Sequence, residues 1–315
     1  MKDQLTRLAL CAALLAFPPR VDADEPDPEI GTEISVLSYN VHGLFPLAAK
    51  DDPGGRMPTI GSLANQYDVA MFQEDFEYHE VIRDQMPDAI GFRGNGMGWD
   101  PRRVFAKLLI APVAIFVPHF SPPYGAGISI FVRESLAMAD DFGREPFGIC
   151  QGWFRSSGDC WALKGYQRVG IRTPEGAEVD LYNTHLDSGS GRRAVALRAR
   201  QFEVLARAIE ARPKSRAVIL GGDFNSVFNR SSDGPTIDQF RRRLGLEDSG
   251  AGPELRGWHE RDRIFYRDGV DTKLQVERAG EAREFVEGDR ALSDHPAVYA
   301  RFRVTRVTSA EAEGG

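Results

Sequence analysis

The apolar positions of this 315-residue chain fall into short blocks, and several of those blocks run straight into a polar residue. Val218-Ile219-Leu220 leads into Gly221-Gly222 and then Asp223-Phe224-Asn225-Ser226. Three aliphatics before two glycines predict a buried strand ending in a sharp, exposed turn. Residues i and i+2 of an extended backbone share a face, so Asp223 and Asn225 are expected to face one spot, with Phe224 turned into the core. Residues 34–40 alternate as a strand that ends in Asn40, and Val41-His42-Gly43-Leu44 reads as its exit turn. Residues 67–74 form a second apolar strand, ending in Glu74. Residues 128–132, 167–172 and 179–185 read as further strands, the last two joined as a hairpin through Pro174-Glu175-Gly176. Residues 261–266 and the alternating segment after Ser293-Asp294-His295-Pro296 complete the set.

Helical periodicity is clearest over residues 192–212, where Val195, Ala199, Phe202, Ala206 and Ile209 recur at steps of four and three. They give one apolar face beneath a strongly basic one, which reads as solvated. Shorter helices are expected at 60–66 and 238–243, with 46–58 as a Gly/Pro/Asp-rich loop. Residues 104–117 are the most apolar stretch beyond the N-terminus, but Lys107 and Pro112 interrupt them. They are too short and broken to cross a bilayer, and read as core strands or as a membrane-touching hairpin.

The N-terminus carries Lys2 and Arg7 before an apolar run over 8–17, then Val21-Asp22-Ala23. That order predicts a signal peptide over 1–23, with a buried N-terminal helix as the alternative. An acidic leader over 24–32, one domain over 33–305 and a frayed tail over 306–315 follow. On that reading the protein is secreted or periplasmic, and its mature chain has no transmembrane segment. Cys150 and Cys160, bracketing a Gly/Ser-rich loop, then read as a disulfide, with two free thiols as the alternative. Such a bridge constrains the unfolded chain by roughly 2–3 kcal/mol.

A hydrophobic content of 42% with 27% charged residues is that of an ordinary globular chain able to bury a core. The formal net charge is −7, and losing Lys2, Arg7 and Arg20 with Asp3 and Asp22 leaves −8. No overall positive field therefore draws in nucleic acid or an anionic membrane. An enzyme that offsets a phosphate with a divalent cation is still compatible. The chain has no Walker loop, dinucleotide fingerprint or Gly-x-Ser-x-Gly elbow.

Three strands ending in Asn40, Glu74 and Asp223 suggest a cluster of oxygen ligands, which suits Mg²⁺, Mn²⁺ or Ca²⁺ rather than zinc. His185, at a strand end before a Ser/Gly loop, is poorly placed for a core histidine. Asp294 and His295 stand together at the mouth of a strand. For them, as for a bare Gly-Asp-x-Asn, an ordinary turn is the competing explanation.

Six motifs are decisive together. Tyr39-Asn40, Gln73-Glu74, Thr184-His185, Gly222-Asp223-Phe224-Asn225, Asp262-Arg263-Ile264-Phe265 and Ser293-Asp294-His295-Pro296 occur in an order that resembles the endonuclease/exonuclease/phosphatase superfamily. The resemblance covers essentially the whole chain after the leader. It implies a four-layered α/β sandwich, two mainly antiparallel sheets packed face to face with helices on the outer faces. It also implies hydrolysis of phosphodiesters by in-line attack of water, assisted by Mg²⁺ or Mn²⁺. Carried over by position, Asn40, Glu74 and Asp294 lie around the metal. His295 takes the proton from water and is oriented by Asp262. Asp223 and Asn225 orient the nucleophile and hold a non-bridging oxygen, while His185, as imidazolium, offsets charge on the phosphoryl group. Asp159-Cys160-Trp161-Ala162-Leu163-Lys164-Gly165 further resembles a segment of the neutral C-type sphingomyelinases. That second resemblance implies a phospholipid headgroup such as that of sphingomyelin, with peripheral membrane contact. The alternatives are a secreted DNase-like endonuclease tracking nucleic acid along the Arg-rich helix, and a catalytically silent binding protein on the same fold.

Overall fold

The computed structural model describes residues 31–44, 52–76, 78–94, 126–140, 142–151, 159, 162, 164–226, 233–250 and 261–307. The expected signal peptide, most of the leader, residues 104–117, Cys160 and the end of the tail lie outside these, and so does the expected Cys150–Cys160 link.

Two large sheets carry the fold. The first contains β1 (Thr32–Asn40), β2 (Val69–Gln73), β3 (Ala89–Arg93), β4 (Ile128–Arg133), β12 (Thr272–Glu281) and β15 (Val298–Arg306). Its order is β12-β15-β1-β2-β4-β3. The second contains β5 (Ala137–Met138), β6 (Gly143–Pro146), β7 (Gly165–Arg172), β8 (Glu178–His185), β9 (Ala217–Asp223), β10 (Glu247–Asp248) and β11 (Asp262–Arg267). Its order is β10-β11-β9-β8-β7-β5, with β6 also paired to β7. In each sheet one central pair is parallel, β1 with β2 and β8 with β9, and the other pairings are antiparallel. A parallel pair needs a crossover, and a helix supplies it both times: α1 (Pro53–Ala64) after β1 and α3 (Arg192–Glu210) after β8. Two further helices, α2 (His79–Arg83) and α4 (Gly234–Leu244), and a small hairpin of β13 (Val286–Glu287) and β14 (Arg290–Ala291) complete the described elements.

Alternation along the strands sorts their side chains into three cores. Ile34, Val36, Val69 and Met71 of the first sheet meet Val169, Val179, Leu181 and Ile219 of the second. The opposite face of the first sheet, through Leu37, Tyr39, Ala70 and Phe72, packs on Met57, Ile60 and Ala64 of α1 and Ile82 of α2. The opposite face of the second, through Tyr182, Leu220 and Phe265, packs on Phe202, Leu205 and Ile209 of α3 and Phe240 of α4. The expected four layers are present.

Several local expectations change. The segment expected as a loop over 46–58 is helical from Pro53, and α1 stops at Ala64 rather than Gln66. Asp52 caps it by accepting from the Gly55 amide at 3.2 Å, and proline is well suited to a first helical position. In α3 the buried set is Ala194, Leu197, Arg198, Gln201, Phe202, Leu205, Ala206 and Ile209, so the inward face carries two polar residues that periodicity alone assigned to solvent. β15 continues to Arg306, past the expected end of the domain, because Arg306 pairs with Thr272 on β12.

Candidate active site

Strand register brings the polar strand ends to one edge of the sandwich. Parallel pairing sets Asn40 beside Gln73 and His185 beside Asp223, and antiparallel β11 sets Asp262 beside Asp223. The two glycines before Asp223 allow the close packing this needs. A Cβ on Gly221 would lie 2.7 Å from the Met71 sulfur of the facing sheet, and one on Gly222 would lie 2.2 Å from the Thr184 carbonyl of the neighbouring strand. Just behind the site, the buried Asn183 amide joins the sheets. It donates to the Phe72 carbonyl at 2.8 Å and the Ser129 carbonyl at 2.9 Å, and accepts from Gln73 Nε2 at 2.8 Å.

Asp223 is the hub. Its Oδ2 accepts from Asn40 Nδ2 at 3.1 Å, across the gap between sheets. The same atom lies 3.4 Å from His185 Nε2 and 3.9 Å from His295 Nε2. His295 is held from behind, its Nδ1 at 2.8 Å from Asp262 Oδ2. Asn225 meets Asp223 by a route other than the extended one expected. Its φ of 47° turns the chain left-handed, its backbone N donates to Asp223 Oδ1 at 2.8 Å, and its Nδ2 donates to the Leu186 carbonyl at 2.9 Å. Phe224, as expected, is buried in the core against α3.

Beside this hub lies a second group. His42 Nδ1 stands 3.6 Å from Glu74 Oε2 and 3.4 Å from Asp294 Oδ1. Asn40 Oδ1 accepts from the His42 amide at 3.0 Å. His42 and Glu74 have φ values of 48° and 59°, a conformation that costs a non-glycine residue on the order of 1–2 kcal/mol. Arg56, buried on α1, holds the loops in place. Its guanidinium donates to the carbonyls of Val41 at 3.1 Å, His42 at 2.7 Å and Leu292 at 2.6 Å. Ser293 adds a bond from its hydroxyl to the Asn40 carbonyl at 2.7 Å.

Lys164 enters from the start of β7. Its Nζ lies 2.9 Å from His185 Nε2 and 2.8 Å from Asp159 Oδ1, and donates to the Leu186 carbonyl at 3.0 Å. Burial, and then this ammonium, lower the pKa of His185 to about 4. Near pH 7 its ring is therefore neutral, and Lys164 carries the positive charge expected of His185. Burial alone would raise the Glu74 pKa, but the adjacent His42 imidazole, 3.6 Å from Oε2, together with the nearby His185 and Lys164, outweighs it and brings the value to about 2. Burial works against the charged form of His295. Its bond to Asp262 and the charges of Asp262, Asp223 and Asp294 outweigh that and raise the value to about 10.

The sequence-derived set thus assembles: Asn40, His185, Asp223, Asn225, Asp262 and His295 in one constellation, with Glu74 and Asp294 linked to it through His42 and Asn40. His42, Lys164, Asn183 and Arg56 were not among the expected site residues. Lys164 had a signal in the Asp159–Gly165 motif, and His42 in its place directly after an Asn-ended strand. The donors suit a hard cation. Glu74 Oε2 is buried and accepts no hydrogen bond among the described residues, and two carboxylates with an amide oxygen are the ligand types such ions take. Asp223, Asp262 and His295 also offer ligating atoms within 4.8 Å of one another. The 2.8 Å contact inside that trio is a hydrogen bond, so it reads as a proton-handling group.

Comparison with known proteins gives the chain its family. The chain is 30% identical over 295 residues to a sphingomyelinase of Mycobacterium tuberculosis and to one of Mycobacterium bovis, an alignment covering 87% of this chain and 53% of theirs. It therefore spans about half the length of these curated relatives. Among solved structures, TDP2 of D. rerio complexed with single strand DNA product superposes with a TM-score of 0.63 at 17% identity, covering 86% of this chain and 99% of that one. Beta toxin of Staphylococcus aureus superposes with a TM-score of 0.56 at 15% identity, covering 85% and 99%. At such identities the likeness is one of fold. Residues 37–295, which take in every strand end and loop of the site, match the Endonuclease/Exonuclease/phosphatase family, and the chain belongs to it.

Proposed function

We propose that this phosphoester hydrolase is an exported, Mg²⁺-dependent phosphodiesterase, with Mn²⁺ as a substitute, that cleaves a phospholipid to release its phosphorylated headgroup. The observation that carries the hydrolytic part is the convergence of His295, Asp223, Asn225 and His185 on one spot, with His295 fixed by Asp262 at 2.8 Å. Asp262 holds the ring with Nε2 facing the spot and stabilises its imidazolium, the form a value of about 10 gives near pH 7. A bound cation would have to lower that value before His295 could take a proton from water. Asp223 and the Asn225 amide orient the attacking water and a phosphoryl oxygen. Lys164, behind a neutral His185, places positive charge next to the developing negative charge. Asn40, Glu74 and Asp294 would hold the cation, which supplies charge to offset the phosphate and to weaken the grip of His295 on its proton.

The lipid assignment draws support from the 30% identity to sphingomyelinases and from the buried Asp159–Lys164 pair at 2.8 Å. Export and the Cys150–Cys160 link belong to the same proposal. The second reading, a nuclease, is favoured by one observation, the fold shared with TDP2, whose structure is complexed with single strand DNA product. Purified protein should be assayed on sphingomyelin micelles and on plasmid DNA, with Mg²⁺ and with excess EDTA. Headgroup release that needs the cation and is lost in Glu74→Gln is expected. Plasmid cleavage without headgroup release makes the nuclease reading the right one, and full activity in EDTA removes the cation from the scheme.

A further inference from the structure

The Lys164 ammonium meets three groups, and they differ in how they are themselves held. His185 Nε2, at 2.9 Å, ends β8, and the Leu186 carbonyl, at 3.0 Å, belongs to a residue whose amide donates to the Asp223 carbonyl at 3.0 Å. Both are therefore carried by the parallel pair of β8 and β9. The third partner, Asp159 Oδ1 at 2.8 Å, belongs to no helix or strand. Its other oxygen, Oδ2, accepts from the Ser188 amide at 2.8 Å and from the Ser188 hydroxyl at 2.9 Å. The place of the Asp159 carboxylate, and with it one side of the Lys164 contact, thus depends on Ser188.

Ser188 lies in the irregular segment between β8 and α3, and α3 holds that segment with two buried polar residues. Arg198 donates through Nη1 to the carbonyls of Asp187 at 3.1 Å and Gly189 at 3.0 Å, one on each side of Ser188. Through Nη2 it donates to Asp233 Oδ1 at 2.8 Å. Gln201, almost one turn along, accepts from the Asp187 amide and donates to Asp187 Oδ1, both at 2.9 Å. Arg198 is 2% exposed, on the face of α3 that also buries Leu197 and Phe202. An apolar side chain of similar volume often replaces such a buried ion pair with no loss of stability. Packing alone therefore gives no reason for an arginine here, whereas the loop it brackets does.

We propose that Arg198 and Ser188 are positioning residues of the active site. Arg198 fixes residues 187–189, Ser188 fixes Asp159, and Asp159 fixes the Lys164 ammonium beside the phosphoryl group. The inference rests on the charge-offsetting role of Lys164 in the proposed function, and it assigns what keeps that charge in place. Both residues act at one remove, so their effect on turnover passes through Lys164 and vanishes without it.

A kinetic double-mutant cycle on the full chain with Mg²⁺ tests this, using whichever phosphodiester the wild type cleaves, sphingomyelin in mixed micelles or plasmid DNA. Lys164→Met removes the ammonium and should lower kcat/KM by about 10²–10³-fold, the loss typical of one preorganised donor. Arg198→Lys keeps the charge but replaces the guanidinium fork by a single nitrogen, which cannot hold both the loop and Asp233. It should lower kcat/KM by about tenfold, and Ser188→Ala by about fivefold. On the Lys164→Met background each should change kcat/KM by less than about twofold, because residues that act through one group are not additive. Equal fold losses on both backgrounds mean general support of the structure, and overturn the proposal while leaving the proposed function in place. Wild-type kcat/KM in either folded single variant overturns it equally. Thermal unfolding shows whether Arg198→Lys folds, and if it does not, the Ser188→Ala arm of the cycle decides alone. Near wild-type kcat/KM in Lys164→Met overturns the role of Lys164 itself, and the proposal with it.

Discussion

At the scale of single residues, the site depends on which groups hold protons. His295→Ala removes the group proposed to take the proton from water, and kcat should fall by about 10²–10⁴-fold with the unfolding midpoint little changed. Asp262→Asn keeps the ring but weakens its orientation and charge support, so a smaller loss is expected. A His295→Ala enzyme turning over at near wild-type rate would sink the base assignment. Asp262 was assigned through the resemblance, and His295 stands at the mouth of a strand, where an ordinary turn competed. Asp223, at the end of an apolar block where a polar side chain has no packing reason to be, announced itself. His185 did too, but its charge state did not. That state depends on Lys164, 21 positions earlier in the chain and 2.9 Å away in space, and no local pattern reports such a distance. Asn225 was found for a partly wrong reason, since a left-handed turn at 47°, not an extended strand, brings it to Asp223.

At the scale of elements, two polar groups test how strands and sheets are held. Asn183→Leu preserves approximate volume but removes the amide that donates to the Phe72 and Ser129 carbonyls, while the Gln73 amide keeps Ser38 Oγ at 3.3 Å and the Met71 carbonyl at 3.2 Å. Each buried group left unsatisfied costs about 1–3 kcal/mol, so urea unfolding should show a loss of at least about 2 kcal/mol. A loss under about 1 kcal/mol would mean the amide is dispensable to sheet packing. At the opposite end of the second sheet, Asp140 lies 2.8 Å from Arg168 and 2.8 Å from Arg216, and is also paired with Arg212. Burial opposes its ionisation, but these three guanidinia hold its pKa below the usual carboxylate range. A folded-state pKa that is depressed contributes stability above the unfolded value, and that contribution is lost as pH falls through the folded one. Asp140→Asn should therefore lower Tm near pH 7 by about 2–4 °C, for a network worth about 1 kcal/mol. The gap should narrow below about pH 4, and a gap that widens in acid would contradict the sign. Periodicity could announce α3 and the apolar strands, yet it missed the first turns of α1, where glycine and proline imitate a loop. It missed β12 as well, an edge strand whose exposed positions and bulge near Val276 leave little alternation to read. Which strands pair is set by contacts between distant segments, so the resemblance, not the pattern, carried the four-layer architecture.

At the scale of the molecule, the distribution of charge separates the two substrate classes. The chain carries a formal net charge of −7, and its most basic element, α3, spends much of that charge internally. Arg198 is buried against Asp233 at 2.8 Å, and Arg207 pairs with Glu203 at 2.7 Å. Just past the helix, Arg212 pairs with Asp180 at 3.0 Å, and Arg243 of α4 reaches across to Glu203 and Glu210. These pairs leave the helix fewer charges for a phosphate backbone than its sequence suggests, with Arg192, Arg193 and Arg200 still exposed. An enzyme bound to nucleic acid through six to ten phosphates loses roughly 10³–10⁵ in affinity between 50 and 200 mM salt. A lipid phosphodiesterase holds one phosphate, next to Lys164 and the cation ligands, and takes the rest of its affinity from apolar contact with the interface. Raising salt over that range should thus change KM on mixed sphingomyelin–detergent micelles by less than about threefold, with kcat unaltered. A KM that climbs by orders of magnitude, on any substrate the protein cleaves, would reveal many phosphate contacts and return the chain to the nucleases of its family.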